Sequence, residues 1–599
     1  MMEDVYEPLE RYDTEFQAKF DRLSQELFDR LVAASGVDAT SNAKTIAELR
    51  QLESRLGAAQ GRRRLWQCLL AAAILAIIFS ALVCVFAYQD LQNLPEGVSS
   101  TNGILLFLGG LAGAILSIVL LYKVVYANYR RIAATIETLQ THISQKTAEA
   151  WEQMAPLNQL YDWDMSAKLI AQTVPRIQLD PYFTVQRLQE LQQHFGWDGS
   201  SDDCSSVLFA QSGSINDNPF VFGHLRKMQW GEKTYTGSKQ ISWTERVRDS
   251  KGNYYSVRRY ETLVARVTKP IPLYHEEKFL LYGNEAAPRL TFSRQPSKLS
   301  GSDGGIIDSL RKKHTLKKLQ DFSRNLEDES QYTLMGNHDF EVLFHATDRN
   351  DEIEFRLLFT PLAQTQMLKI LQDRKIGFGD DFSFVKQRKL NFIYPQHLNN
   401  VDLDTDPKKF AHYDLVQARA FFLRTQAEYF KAVYFSLAPL LSIPLYQQTR
   451  TRASIYADQS ARQASFWEHE AQANYHGEQH FQHPQCITHS ILKTRCLSQD
   501  DGLSAIAVTA SGYKGITRTD YQNILGGDGH IHRVDVQWTE FLPVQQTKSM
   551  LLTEQPGVSL QEYRQQSPAT AEKWPQRFQR KKIDWARGIY RRSILSCLD

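Results

Sequence analysis

Cysteine is scarce in this chain. Six cysteines in 599 residues, two of them inside apolar blocks, cannot build the disulfide framework that small secreted domains need, and they fit a reducing compartment. Charge of one sign is not in excess either. With 69 Lys and Arg against 67 Asp and Glu, the net charge is +2, and no global field points to nucleic acid or an acidic substrate. The first 30 residues lack the basic start, apolar run and small-residue cleavage site of a secretory leader. Missing too are a Walker phosphate loop, a dinucleotide glycine fingerprint, a GxSxG elbow, an HExxH pair and a kinase signature, which removes the common enzyme classes.

Two long apolar runs stand out against this background. Leu65 to Tyr88 is 24 residues without a charge, and Gly103 to Tyr122 is another 20. At about 1.5 Å per residue, each helix is long enough for a hydrocarbon core of about 30 Å. Arg62, Arg63 and Arg64 precede the first run, Lys123, Arg130 and Arg131 follow the second, and the loop between carries only Asp90 and Glu96. The positive-inside rule then predicts a transmembrane hairpin with both termini cytoplasmic. Neither run has an ionisable residue or a Gly/Pro break at mid-depth, which argues against transport. Gly109 and Gly113 make a GxxxG step for helix packing, either within the hairpin or in a homo-oligomer. Phe16, Phe20, Leu23, Leu27 and Leu31, and again Ile132, Ile136, Leu139 and Ile143, recur at helical spacing. These stretches predict an antiparallel helical stalk, with 43–59 as a further piece and Pro156 as its end.

Beyond the stalk the pattern turns to strands. Tyr235–Arg248 and Tyr254–Thr268 flank a turn at 249–253, further short strands are expected at 279–282 and 289–293, and Pro296–Gly305 reads as a linker before a basic helix at 310–326. Residues 340–394 read as strand, strand, helix, strand, strand. Their Leu357, Leu358, Phe359, Thr360 and Pro361 step before a helix, together with the two apolar runs, resembles a family of uncharacterised bacterial two-helix membrane proteins, domain of unknown function thirty-one thirty-seven. The resemblance implies a bacterial inner membrane location, no catalytic residues to transfer, and a membrane-associated partner of the LemA type.

The long helix expected at 411–446 ends in a 15-residue uncharged run, 432–446, interrupted by Pro439 and Pro444, which reads as a buried core or membrane-surface segment rather than a third span. From Gly502 to Val544 strands return, with a turn at Gly526–Gly529 and with Val534, Val536 and Trp538 on one face. The fold class is therefore α+β: a two-helix transmembrane hairpin, a cytoplasmic helical stalk, and mixed, mainly antiparallel sheets. The regions are 1–62 helical, 63–126 hairpin, 127–178 stalk, 179–295 β-rich, 296–335 linker and basic helix, 336–450 α+β with a long helix, 451–545 His-rich loop and β hairpin, and 546–599 basic tail.

Three groups of residues could carry chemistry. Five of the 16 histidines lie between His469 and His489, and His476 and His480, one helical turn apart, could hold zinc with Cys486 if the chain folded back at Pro484. A polar loop with satisfied histidines is the bland alternative. Gly336-Asn-His-Asp339 and Gly529-His-Ile-His532 look like late metallophosphoesterase motifs, but half of that ligand set is absent, so Asn337 to Asp339 reads as a loop into a strand. From Lys573 on, eight Lys or Arg stand against two Asp among aromatics, so Arg577, Lys581, Lys582, Trp585, Arg591 and Arg592 could lie on an anionic leaflet or pack on the soluble region. The expected partners are thus the bilayer, another membrane-associated protein and further copies of the chain through transmembrane and stalk helices, with no nucleic acid. A membrane-anchored interaction protein is the main expectation, with a zinc enzyme as the rival and no other cofactor.

Overall fold

The computed structural model describes residues 6–92, 101–199, 202–248, 253–297, 299–300, 306–324, 332–449, 463–500, 503–555, 558–565 and 588–598. The chain divides into two compact units: Met1–Leu27, Tyr161–Lys409 and Leu423–Asp599 form one, and Phe28–Leu160 with Phe410–Phe422 the other.

The smaller unit is built on long helices. Ala39–Gln92 runs unbroken for 54 residues, about 80 Å at helical rise, and Thr101–Leu120 continues through 121–126 into Ala127–Asn158. Two helices here are long and apolar enough to cross a membrane, and only 6% of each apolar window is buried. Polar pairs zip the far ends: Gln153 Nε2 donates to Thr45 Oγ1 at 2.9 Å, and Lys146 Nζ meets Glu48 Oε2 at 2.9 Å. The helix does not stop at Pro156. It reaches Asn158, because a proline this near the end removes one donor while Gln159 N–H still caps Ala155 O at 3.1 Å.

Phe16 and Phe20 are not stalk residues. They belong to the larger unit, where they are buried against Phe430 and Tyr434. The run 432–446 is core: from Ala432 to Leu441 its apolar side chains are buried, and Pro439 lies in the closing turn of the helix Leu415–Leu441.

Two antiparallel sheets organise the larger unit. Its strands are β1 (Ile177–Leu179), β2 (Ser205–Ile215), β3 (Asn218–Arg248), β4 (Tyr254–Gly283), β5 (Thr291–Arg294), β6 (Phe382–Gln387), β7 (Leu390–Pro395), β8 (Ile491–Asp500), β9 (Leu503–Leu525), β10 (Ile531–Glu554), β11 (Ile589–Arg591) and β12 (Ile594–Leu598). The first sheet has the order β1-β2-β3-β4-β7-β6-β5 and the second β11-β12-β10-β9-β8. Because β4 pairs with β7 from Leu280↔Ile393 to Gly283↔Leu390, the expected boundary near 295 divides nothing, and 179–295 and 336–395 share one sheet.

The stretch expected as two strands at 340–362 is helical instead. His338–Phe344 starts at Asn337, whose side chain accepts Phe340 N–H at 3.2 Å, and Glu352–Leu358 starts at Asp351, which accepts Glu354 N–H at 2.9 Å. Phe340 and Phe344, then Phe355 and Phe359, lie four residues apart, so the rings of each pair meet on one side of the chain, the first pair stacked and the second tilted by 43°, with centroids 4.9 and 4.7 Å apart.

β3 and β4 are far longer than the sequence pattern indicates. They pair from Phe220↔Tyr282 to Arg248↔Tyr254, and β9 and β10 pair from Ser504↔Leu552 to Leu525↔Ile531. The outer parts of these two ribbons cross. Ile241, Leu263 and Ala265 pack on Val534 and Val536, and Lys269 Nζ sits 4.2 Å from the Trp538 ring centroid. At the crossing the backbones nearly touch, since a Cβ on Gly237 would stand 1.9 Å from Asp535 O. Gly529, at φ +79°, makes the expected turn, and the neighbouring Gly527 N–H donates to Glu261 Oε2 at 2.6 Å.

Candidate functional site

The helix Phe466–His476 stops at Gly477, whose φ of +101° no ordinary side chain favours, so His480 is carried away on the separate turn Glu478–His480. His476 is buried and its Nε2 pairs with Ser596 Oγ at 2.8 Å, whereas His480 is exposed and its carbonyl accepts Lys548 Nζ. Burial holds both His469 and His476 down at about 4, as neutral core imidazoles. Cys486 bonds to hydroxyls instead of joining these histidines. Among the described residues no three His, Cys, Asp or Glu side chains gather as a metal site.

Glu478, Cys486 and His489 do line one cleft, of about 590 Å³, walled by Lys233 and Tyr235 of β3, Ile271, Pro272 and Tyr274 of β4, and Phe541 of β10. Glu478 is its organising charge. Its carboxylate takes His489 Nδ1 at 2.8 Å, Arg226 NH1 at 3.1 Å and Ser490 N–H at 3.1 Å, which fixes the imidazole's orientation. Cys486 Sγ stands 3.4 Å from Thr488 O, 3.7 Å from Thr488 Oγ1 and 3.7 Å from Ser490 Oγ, above the bare backbone of Gly512. Burial raises the thiol, and hydrogen bonds from Gln482, Thr488 and Ser490 outweigh it, so the pKa falls below the ordinary thiol value.

A second constellation has the geometry of a nucleophile, base and acid. Asp381 Oδ2 lies 2.5 Å from His397 Nδ1, and His397 Nε2 lies 3.1 Å from Ser436 Oγ. Here the chemistry is blocked: Ser436 is fully buried, its hydroxyl donates to Ala432 O at 2.8 Å, and Phe378 stacks on the imidazole at 3.9 Å. The arrangement ties the loop at 373–381 to the core helix.

Arg591 and Arg592 are not at a membrane surface. Their side chains are 1% and 5% exposed, held in the core by Glu468, whose Oε1 takes Arg592 NH1 at 3.0 Å and whose Oε2 faces Arg591 NH1 at 3.6 Å. A buried carboxylate needs such partners, and here two cations from the hairpin β11–β12 supply them. Arg577, Lys581, Lys582 and Trp585 lie outside the described residues.

Of the two glycines expected to pack helices, Gly113 faces Ser80 Oγ, with a Cβ there 3.2 Å from it, and Gly109 has no such neighbour within 4 Å. Gly110 makes the closest approach, since its Cβ would lie 2.7 Å from Cys84 Sγ. Sequence reasoning missed Glu478, because its partners Arg226 and His489 are 252 and 11 residues away. No local pattern announces that meeting. Compared with family models, with curated proteins and with solved structures, the chain matches none.

Proposed function

We propose that this chain is a membrane-anchored interaction protein of the bacterial inner membrane, akin to the two-helix family that its sequence resembles, with both termini cytoplasmic. The observation that carries the reading is the outward display of apolar side chains on both long helices, including Leu65, Phe79, Phe86, Leu105 and Leu116, each at least 66% exposed. In water this surface would far exceed the patches that soluble proteins tolerate, and in lipid it costs nothing. Supporting the interaction role, the crossed ribbons form a braced platform whose outer strands carry exposed Tyr254, Tyr255, Tyr260, Tyr521, Leu525 and Ile531. A membrane-associated protein is the partner this platform suits, since aromatic and aliphatic anchors dominate protein interfaces.

Fractionation tests the anchor. The full chain should stay with membranes through an alkaline carbonate wash, and removal of residues 65–122 should release it; full extraction of the intact chain would overturn the reading. A partner recovered from gently solubilised membranes should be lost when Tyr254, Tyr255 and Tyr260 are changed together to Ser. Equal recovery with the changed ribbon would exclude the platform as the binding face.

A further inference from the structure

We propose that the outward face of the ribbon β3–β4 docks an acidic, extended segment of a protein partner, a proposal that rests on the reading of the crossed ribbons as an interaction platform. The strands pair without a register shift from Phe220↔Tyr282 to Arg248↔Tyr254, so residues opposite each other share a face and successive residues change face. One face carries Ile241, Leu263 and Ala265 to the crossing with β10. On the other face, each side chain between Thr234 and Arg248 and between Tyr254 and Thr268 is exposed. Charge is sorted between the two. The outward face has Arg246, Arg248, Arg258 and Arg266 and no carboxylate; its remaining residues are Tyr254, Tyr260, Val264 and Ser, Thr or Gln. The acids of the same stretch, Glu245 and Glu261, lie on the crossing face, where they meet Arg259 and Gly527 N–H.

Two of these arginines are held by tyrosines. The Arg248 guanidinium lies 5.8 Å from the Tyr254 ring centroid and that of Arg258 lies 5.5 Å from Tyr260, with Arg258 NH2 also donating to Ser242 Oγ at 3.4 Å. A guanidinium laid on a ring keeps edge N–H groups for a planar anion such as a carboxylate. The second ribbon braces the first from behind, with Gly237 against Asp535 O, so little order has to be gained on binding. Spacing indicates the form of the partner. Arg248 and Arg246 stand two positions apart on β3, and Arg258, opposite Thr244, marks a level two further on. These levels repeat at about 7 Å, as do carboxylates on alternate residues of an extended chain. Other anionic surfaces fit less well. Three levels followed by a gap to Arg266 do not match a charge about every 1.7 Å along duplex nucleic acid, and Val264 is the face's lone aliphatic for a lipid surface.

The test uses the full chain in phosphatidylcholine nanodiscs and fluorescence anisotropy at about 150 mM salt, where charges more than about 8 Å apart are largely screened. The probe is a labelled peptide of six Glu-Thr repeats, and its control has Gln in place of every Glu. The acidic peptide should bind on the order of tenfold more tightly than the control, and the joint change R246Q/R248Q/R258Q should remove about that factor. R259Q, on the crossing face of the same ribbon, should leave the affinity unchanged. Equal melting temperatures would show that these exposed substitutions leave the fold intact. Equal affinity for the two peptides, equal affinity of parent and triple variant, or a loss in R259Q as large as in the triple variant would each overturn the proposal. So would tighter arginine-dependent binding of an oligothymidylate of equal length or of phosphatidylglycerol vesicles. Partner capture separates this proposal from the platform itself: if the triple variant keeps a partner that the tyrosine-to-serine variant loses, the platform stands and its acidic occupant falls.

Discussion

The ring of Phe20 lies flat on the ring of Phe430, with centroids 4.2 Å apart and planes inclined by 5°. Both side chains are buried, at 0% and 1% exposure, so a residue near the start of the chain closes the core on a helix four hundred residues later. Phe20→Ala should destabilise the larger unit by about 3–5 kcal/mol through lost burial and the cavity left behind. Denaturant unfolding followed by tryptophan fluorescence measures this, and a loss near zero would show that the N-terminal helix does not close the core.

The charge cluster at the C-terminal hairpin makes a second prediction. Glu468→Gln leaves Arg592 buried without its carboxylate and Arg591 facing only Asp404 Oδ2, 3.7 Å away. A loss of about 3–5 kcal/mol is expected. Joint replacement of Glu468, Arg591 and Arg592 by Gln, Met and Met should recover much of it, whereas a triple variant as unstable as Glu468→Gln would mean that the guanidiniums pack irreplaceably.

Lys386 sets a pH dependence. Its ammonium is enclosed, donating to Ala286 O at 3.1 Å and Arg388 O at 2.6 Å, and burial pulls its pKa down from 10.5 to about 7. Between those values the unfolded chain binds a proton that the folded chain does not, so stability rises with pH from about 7 upward and the penalty is full below 7. Chemical denaturation at pH 7 and pH 9 should show this rise, and Lys386→Met should flatten it. Equal slopes for parent and variant would assign the dependence to other groups.

The apolar helix pair offers a sharp contrast between neighbouring glycines. A side chain at Gly110 meets Cys84 and Ser80, and one at Gly109 meets nothing within 4 Å. Gly110→Leu should therefore lower the melting temperature in detergent, and Gly109→Leu should leave it unchanged. If Gly109→Leu also shifts the particle to lower mass in light scattering, Gly109 sits at a contact between copies.

Acid should weaken the fold through the buried histidines. His469 is neutral in the folded chain, with its pKa held at about 4, while the unfolded chain takes up the proton near 6.5. Stability is thus lost as pH falls from 6.5 towards 4, and His469→Gln should reduce the loss measured between pH 6.5 and 5.

The sequence by itself determined what depends on local pattern. Uncharged runs of 24 and 20 residues predict two long apolar helices, and the turn residues at 249–253 and Gly526–Gly529 predict two hairpins, because run length and turn chemistry are properties of a short segment. Helical spacing marked Phe16 and Phe20 as one face, yet could not say what that face meets. At 338–358 the caps Asn337 and Asp351 were present in the sequence, but β-rich composition nearby masked the four-residue spacing of the phenylalanines. Only the tertiary structure decided the rest. Arg591 and Arg592 read equally as a leaflet-facing surface or as a segment packed on the soluble region, and Glu468, 124 residues before Arg592, decides between them. Cys486 could be read as a zinc ligand or as part of a polar loop until Gly477 turned His480 away and Glu478 drew His489 into the same cleft. Burial and charge pairing are set by what arrives from elsewhere in the chain, and a linear pattern carries no record of those arrivals.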